Sequence, residues 1–522
     1  MRALLLVLLA LALPFGPLVA MESAARTAEW VRTREQLRKS RVAIEKGAAE
    51  DRLSRAAKAV SLLSDLLAKA KVQGGSCTDR DLIDLVAGVR FLDPKSAEPL
   101  QAALDGLPEK GDPAKAKAWG QLIEAKRKDV LKPTERLFKQ ALDAGVPGIA
   151  RDCVDQALVF WPGHRDLRRN LGEVEHAGAW YGPRGQAQLK LGYVWDGKLG
   201  WILEAERARY DTDEYFDAQE RTWTTVDAAN RLHASAAKRW VIQTEHLQVQ
   251  GTAPLADLVD TANRLEEFYD QVFAAYCGFF VKPGAKNGDD VKLLFGLLDH
   301  PRLVVNMAKD RDAYQASLPP LVRAGWSDGM FISSTQESYF YTGWAEAVYH
   351  EFTHQILYVF AGRDSSPAWL VEGAAVYTQA PEFCDGRMNL GGVGGNDHLR
   401  MFIRQELAGK ALSLQKILGL EDGFAWMNST SPDLNYPAAG AVVQFCMEAE
   451  GRRYRSDFID FLRDSYRGET RSYQLWEYLG MDYTAFDRRY STWVDDFVRQ
   501  PLRDPPAAGR RHDRGRDRDH DR

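Results

Sequence analysis

The chain has 522 residues, of which 45% are hydrophobic and 27% charged, and its formal net charge is −5. One hydrophobic core rarely holds more than about 250–300 residues, so this length predicts two or three domains. The net charge shows no strong basic excess, which argues against a nucleic-acid-binding protein. The cysteines are too few and too scattered to predict a disulfide framework or to assign a pairing: Cys77, Cys153, Cys277, Cys384 and Cys446.

Residues 1–20 have the pattern of a secretory signal peptide. Arg2 precedes an apolar run from Ala3 to Leu13, and Ala20 fits the last residue of the leader. An uncleaved anchor is the alternative, although the apolar stretch falls short of the ~20 residues that span a bilayer. The pattern predicts a secreted or periplasmic protein with no stable membrane span after cleavage.

Residues 21–172 are predicted to form an all-helical region. Amphipathic runs cover residues 52–69 and 115–131, and glycine and proline at residues 111–113 separate them. Residues 137–172 resemble a degenerate tetratricopeptide helix pair, and an irregular helical bundle is the alternative. Such a region could bind a protein partner.

Residues 173–235 are predicted to form a small β-containing connector, because glycines alternate with aromatic residues there. Trp180, Tyr181 and Gly182 illustrate the pattern. Aromatic residues beside glycines pack a small β unit onto its neighbours more often than they bind a ligand. We therefore assign no site to this segment.

Residues 236–500 combine strand and helix patterns. An extended segment over residues 240–249 precedes a helical stripe from Leu255 to Val272. Strands are predicted over 292–298 and 303–307, and then as two short strands within 329–342. A helix over 344–360 follows, and the helices from 399 to 498 complete the domain. This order predicts an α+β fold.

The helix over 344–360 contains His350-Glu351-Phe352-Thr353-His354, an HExxH motif. Helical residues four apart share one face, so His350 and His354 can bind a single metal ion. Glu351 lies about 100° around the helix. This position keeps its carboxylate out of the coordination shell but within reach of a metal-activated water.

A third ligand is predicted at Glu372. Ser365 and Ser366 offer N-cap hydroxyls, and Pro367 suits the first helical position, so a second helix would carry Glu372 on its second turn. Two histidines and one glutamate leave a fourth position for water, which is typical of a catalytic zinc site. The small residue Gly373 allows close approach of a neighbouring helix.

HEFTH, seventeen intervening residues and Glu372 within WLVEGAAVY resemble the gluzincin metallopeptidases, specifically the peptidase MA-like branch. The resemblance implies that His350, His354 and Glu372 bind one Zn²⁺ and that Glu351 is the general base. In that family a later tyrosine often donates a hydrogen bond to the developing oxyanion. Tyr436 matches that place, at the head of a helix whose first position suits Pro437; a core or capping tyrosine is the alternative.

Two features depart from better-known gluzincins. Val376 stands where a Glu-x-x-x-Asp pattern would place a second acid, so another group must orient the imidazoles. A GxMEN-type segment that reads a substrate amino terminus is absent upstream. The strands within 329–342 occupy that place, and an edge strand there pairs with substrate in gluzincins, which favours an endopeptidase-like groove. Two plain core strands are the alternative.

Three further features carry weaker expectations. The glycine-rich segment 384–397 is either a lid over the cleft or a surface connector. The charged tail, residues 501–522, is predicted to be disordered. His246, His300 and His398 are predicted to be structural or exposed rather than metal ligands.

The sequence as a whole predicts an α+β chain: an all-helical amino-terminal region, then a gluzincin-like zinc peptidase domain with a small mixed sheet and a helical lower half. The predicted function is hydrolysis of peptide or protein substrates by an exported zinc enzyme. The alternatives are an inactive gluzincin-fold scaffold that binds partners through its helical region, and zinc-dependent hydrolysis of a non-peptide bond.

Overall fold

The structure is a computed structural model, and it is a mixed α+β protein in which helices predominate. It describes residues 54–144, 146–280, 300–323, 327–343, 345–361, 366–384, 387–429, 432–470 and 475–499, with scattered residues between 35 and 44. The predicted signal peptide, the strand over 292–298 and the tail over 501–522 lie outside the described residues.

Helices alone make up the described chain as far as residue 172. Their core includes Leu66, Leu85 and Phe160, which are at most 1% exposed. The predicted break at residues 111–113 is confirmed, whereas the helix that follows it extends past residue 131 and includes Pro133. The helices cover residues 54–73, Arg80–Leu92, Pro94–Asp105, Ala116–Asp143, Pro147–Phe160 and Arg165–Asn170.

Two contacts fix this helical region to the rest of the chain. Val154 and Leu158 share a small apolar core with Phe273. Arg41 reaches the carboxyl-terminal helices, where its guanidinium donates to Asp457 at 3.3 Å and to Asp460 at 2.6 Å. The exposed side-chain fractions are 4% for Arg41 and 3% for Asp460, so this ion pair is buried.

Three two-stranded hairpins follow, within residues 174–224. They are antiparallel pairs of short strands. Their members are β1 (Val174–His176), β2 (Ala179–Tyr181), β3 (Tyr193–Asp196), β4 (Gly200–Leu203), β5 (Tyr215–Asp217) and β6 (Thr222–Thr224). The helices between and after them cover Pro183–Lys190, Arg207–Tyr210 and Val226–His233, with 3-10 turns at Glu204–Glu206 and Ala236–Lys238.

A five-stranded mixed sheet lies in the part of the chain that contains the HExxH motif. Its strands are β7 (Trp240–Gln243), β8 (Leu247–Gly251), β9 (Leu303–Ala308), β10 (Gly329–Ile332) and β11 (Glu337–Tyr341). Their order is β10-β11-β9-β8-β7. The central strand β9 runs parallel to both neighbours, whereas β10 and β7 pair antiparallel at the two edges.

The predicted continuous segment over residues 240–249 is wrong, because it folds into the hairpin β7–β8. The Thr244 N–H donates to the Leu247 carbonyl at 2.9 Å and closes the turn. Glu266, from the following helix, accepts from the His246 N–H at 2.7 Å. A carboxylate outside the segment therefore stabilises a turn that strand propensity alone does not predict.

The predicted helical stripe is confirmed by the helix Leu255–Ala275, whose residues Leu258, Ala262, Leu265 and Phe268 are fully buried. The other helices that accompany the sheet cover Cys277–Phe280, Arg311–Ser317, Pro320–Val322 (a 3-10 turn), Ala345–Ala361, Ala368–Thr378, Asp397–Leu407, Leu414–Leu418, Gly423–Met427, Pro432–Arg452, Arg455–Tyr466, Leu475–Tyr478 and Tyr483–Phe497.

Across the described ranges, no helix combines the length and apolar character that a bilayer crossing requires. Cys77, Cys277 and Cys446 are free thiols, and the last two are buried. Cys277 and Cys446 therefore pack as small apolar side chains.

Replacing Arg41 should destabilise the whole chain. Arg41→Ala removes one partner of a buried ion pair, and such changes cost about 3–5 kcal/mol. Arg463 also contacts Asp460 at 2.6 Å and compensates part of its charge, so we expect the lower end of that range. Chemical denaturation followed by circular dichroism measures the change.

Lys39→Ala is the matched control, because Lys39 lies in the same segment but is 74% exposed and pairs with an exposed Glu35. The denaturation midpoint of Lys39→Ala should equal that of the parent. Equal midpoints for Arg41→Ala and the parent would contradict the anchoring role of Arg41.

Candidate metal centre

Three helices build the site. We call Ala345–Ala361 the histidine helix, Ala368–Thr378 the glutamate helix and Pro432–Arg452 the tyrosine helix. The histidine helix lies against the sheet through the fully buried Gln355. Its amide donates to the Val304 carbonyl at 3.0 Å and accepts from the Ser338 hydroxyl at 2.9 Å. The sheet therefore fixes the helix that carries the HExxH motif.

The glutamate helix begins where the proline predicts, with one correction. Pro367 is the N-cap rather than the first helical residue, with φ −56° and ψ 140°. The Leu370 N–H donates to the Pro367 carbonyl at 3.0 Å. Glu372 consequently lies on the second turn. Thr353 and Thr378, in hydroxyl contact at 2.7 Å, join this helix to the histidine helix.

The glutamate and tyrosine helices meet at two glycines. A Cβ atom on Gly373 would lie 2.6 Å from the Ala439 carbonyl oxygen and 2.7 Å from Val443 Cγ2. A Cβ atom on Gly440 would overlap Val376. At Gly373 the nearest atom belongs to the backbone, which cannot yield by a side-chain rotation, whereas at Gly440 the nearest atoms belong to the Val376 side chain. The glycines therefore set the separation between the two helices.

The three predicted metal ligands converge. Glu372 Oε2 lies 3.1 Å from His350 Nε2 and 3.4 Å from His354 Nε2. The histidine side chains are each 12% exposed and that of Glu372 is 23% exposed. Burial opposes ionisation of Glu372, but the two imidazoles outweigh it and hold the pKa of this carboxyl well below its ordinary value.

These distances fit a tetrahedral metal. Bonds of 2.0–2.1 Å to nitrogen and oxygen place tetrahedral ligand atoms about 3.3 Å apart, close to the two separations found here. The three donor atoms lie within 4.8 Å of one another. Two neutral imidazoles and one carboxylate form the donor set of catalytic zinc, with one position left for water. The residues present therefore fit Zn²⁺.

Gln379 supplies the orienting contact that Val376 cannot. Its amide oxygen accepts from His350 Nδ1 at 3.0 Å, which turns the Nε2 lone pair toward Glu372. Its amide nitrogen donates to Glu346 and Asn396, each at 3.3 Å. Gln379 is 3% exposed. The sequence offered no signal for it, because an amide in this role follows no acidic pattern.

Glu351 faces the edge strand. Its Oε2 accepts from the Phe331 N–H in β10 at 2.7 Å. β10 pairs antiparallel with β11 on its other side, for example through Ile332. The Phe331 N–H is bonded to Glu351 rather than to β11, so it points away from β11. The carboxylate of Glu351 therefore lies at the outer edge of the sheet.

Tyr436 lies beside the ligand cluster, 6.2 Å from the His350 ring between centroids. Burial, together with the charges of Glu372 and Glu351, raises the pKa of its phenol, which therefore stays protonated at neutral pH. Its predicted place at the head of a helix is wrong. The helix begins earlier, at Pro432, and contains Pro437 in its second turn, because the residues before Tyr436 are already helical.

His398 lies outside the ligand cluster and packs beside it. Its ring stacks on Tyr436, with centroids 5.3 Å apart and an interplanar angle of 18°. Burial and the neighbouring His350 lower the pKa of His398 to about 4, so the ring is neutral at pH 7. Only the tertiary fold brings it here. His246 and His300 lie elsewhere, where His246 contacts Glu266 at 2.7 Å.

The glycine-rich segment packs onto the glutamate helix. It begins at the last residue of β12 (Glu382–Cys384), which pairs antiparallel with β13 (Arg387–Asn389). The Gly391 N–H then donates to the Tyr377 carbonyl at 3.2 Å. A φ of +78° at Gly391, with the Tyr377 ring close to its Cα, requires glycine. These contacts favour a fixed connector over a lid.

Removing the Gln379 amide should weaken zinc binding. Without an acceptor at Nδ1, His350 loses the contact that holds its ring and tautomer. Loss of such a contact typically costs 10–100-fold in metal affinity, so Gln379→Ala should raise the zinc Kd by about that factor. Competition with a chromophoric chelator measures it. Gln415→Ala, an exposed helical glutamine, should leave the Kd unchanged, and an unchanged Kd in Gln379→Ala would refute the orienting role.

Filling the glycine contact should damage both fold and site. We expect Gly373→Ala to destabilise the protein by about 1–3 kcal/mol through overpacking against backbone, and to weaken zinc binding because Glu372 moves with its helix. The matched control is Gly120→Ala, a helical glycine with no atom within 4 Å of the added Cβ. It should stabilise the chain by about 0.5–1 kcal/mol. If the denaturation midpoints of Gly373→Ala and Gly120→Ala moved in the same direction, the close helix contact at Gly373 would be refuted.

Comparison with known proteins gives no family assignment. No protein-family model matches the chain, and no curated protein matches it significantly. The gluzincin resemblance stays a prediction, carried by residues 350–354 and 367–377.

Proposed function

We propose that the protein is a zinc-dependent peptidase of gluzincin type that cleaves within peptide or protein chains. The observation that carries the proposal is the convergence of His350, His354 and Glu372 at metal-ligand separations, with Glu351 beside them. Several elements distant in the sequence must cooperate to hold these groups together. A structural zinc site would close the fourth position with a protein ligand, and no fourth His, Cys, Asp or Glu joins the cluster among the described residues.

The chain's own residues divide the work of hydrolysis. His350, His354 and Glu372 would hold the zinc ion, which would supply Lewis-acid activation of a water molecule and of the substrate carbonyl. Glu351 takes a proton from that water as its oxygen forms the new bond to the carbonyl carbon. The same carboxyl group then delivers the proton to the departing amine as the carbon–nitrogen bond breaks. Tyr436, held protonated by its surroundings, donates a hydrogen bond to the carbonyl oxygen.

Strand β10 suits a substrate in extended conformation. It is at one edge of the described sheet, and Glu351 borders its outer side. A peptide that adds to this edge would pair its backbone with β10, and its carbonyl groups would pass Glu351. Such pairing reads no chain terminus, which supports internal cleavage. We propose that the substrate binds in this way.

We also propose that the protein acts outside the cytoplasm, as the leader pattern of residues 1–20 predicts. The helical region is proposed to support the catalytic half rather than to act as an independent partner-binding module. Its buried Arg41 contacts and its shared core with Phe273 favour this role.

Glu351→Gln tests the mechanism. The amide keeps the size of the side chain but cannot accept the proton from water. We expect peptide cleavage to fall by about 10²–10⁴-fold, the range for loss of a general base, while zinc stays at one ion per chain. A peptide-library digest read by mass spectrometry, with zinc measured by atomic emission, gives both quantities.

The control is Glu477→Gln, which changes an exposed glutamate on a distant helix and should cleave like the parent. Full activity in Glu351→Gln would refute the general-base role. A parent that holds one zinc but cleaves no peptide would refute the peptidase proposal and leave hydrolysis of another bond.

A further inference from the structure

The ring of Tyr436 is held between two other rings. His398 stacks on it at 5.3 Å with an interplanar angle of 18°, and Trp426 meets it edge-on at 5.0 Å and 86°. Stacked and edge-to-face contacts of this kind each stabilise one ring orientation. Tyr436 has only two side-chain torsions, so these two neighbours determine where its hydroxyl points.

The position of His398 is itself fixed by the metal-ligand network. His398 is the second residue of the helix Asp397–Leu407, whose N-cap is Asn396. Asn396 is fully buried, donates to the Val376 carbonyl at 2.7 Å and accepts from Gln379 at 3.3 Å. Gln379 in turn contacts His350. The start of this helix therefore lies at one fixed place relative to the zinc ligands.

The Nδ1 atom of His398 is buried and has no hydrogen-bond partner among the described residues. A buried imidazole nitrogen without such a bond is costly, and nothing in metal binding requires His398, since the ligand set is complete without it. Its principal described contact is the face of Tyr436. The stack on Tyr436 is therefore the contact through which His398 can act on the site.

We propose that His398 is a positioning residue: through its stack on Tyr436 it holds the phenol in the orientation that donates to the substrate carbonyl oxygen. This role rests on the proposed peptidase function. The helix Asp397–Leu407 then contacts both groups. Its N-cap Asn396 connects through Gln379 to His350, and its His398 contacts Tyr436. The position of this helix therefore fixes the ligand and the proposed oxyanion donor relative to one another.

Two variants separate the stack from the ring nitrogens. His398→Phe keeps a flat ring against Tyr436, whereas His398→Ala removes it. We expect kcat to fall about 10-fold in His398→Ala with KM within twofold, and to stay within about twofold of the parent in His398→Phe. In a Tyr436→Phe background, His398→Ala should lower kcat no further, because residues that act through one another are not additive.

A second readout does not depend on activity. With 3-fluorotyrosine incorporated at position 436, the parent and His398→Phe should each give one narrow ¹⁹F resonance. His398→Ala should give a broadened or additional resonance, as the ring samples further rotamers. This measurement decides the positioning role even if the parent cleaves no peptide, so failure of the peptidase proposal remains distinguishable.

Three results would overturn the proposal. The first is an unchanged ¹⁹F resonance in His398→Ala. The second is a His398→Phe variant that loses as much kcat as His398→Ala, because the ring nitrogens and not the stack would then matter. The third is an additive loss in the Tyr436→Phe background, which would give His398 a role independent of the phenol.

Discussion

The close contact between the glutamate and tyrosine helices is the constraint on which the site depends. Gly373 follows Glu372 directly, and Gly440 lies one helical turn after Tyr436. Each glycine admits part of the opposite helix where a Cβ atom could not fit. A single packing distance therefore sets both where the carboxylate ligand lies and where the phenol lies. Since helices in cores move as rigid units, the candidate metal site and the proposed oxyanion donor shift together rather than separately.

Electrostatics at the cluster favour a cation. Gln379 accepts a hydrogen bond from the Nδ1–H of His350, so the Nε2 atom presents a lone pair to the carboxylate of Glu372 at 3.1 Å. Two electron-rich atoms at this separation repel one another unless a proton or a metal ion lies between them. By orienting His350, the Gln379 amide therefore favours a cation between these two atoms. An aspartate in the place of Val376 would achieve the same with added negative charge, and the chain uses a neutral group instead.

What the sequence could predict was local. His350 and His354 follow from helical spacing, and Glu372 follows from a proline that starts a second helix. The elements β9, β10 and β11 follow from strand propensity. Gln379 and His398 could not be found in this way, because their partners are chosen by packing between distant helices. The β7–β8 turn was missed because Glu266, a residue of another element, stabilises it. The early start of the tyrosine helix was missed because Pro437 suits a first turn equally well.

The buried pair of Arg41 and Asp460 joins residues 419 positions apart. Such a contact cannot form until Asp460 has been synthesised. Contacts between residues so far apart in sequence slow folding, because the earlier segment cannot pack until the later one has been made. The segment around Arg41 therefore reaches its final position only after the helix that carries Asp457 and Asp460 has folded. A molecule that lost its carboxyl-terminal helices would leave Arg41 without its carboxylate partners, and quality-control proteases could then recognise the exposed segment.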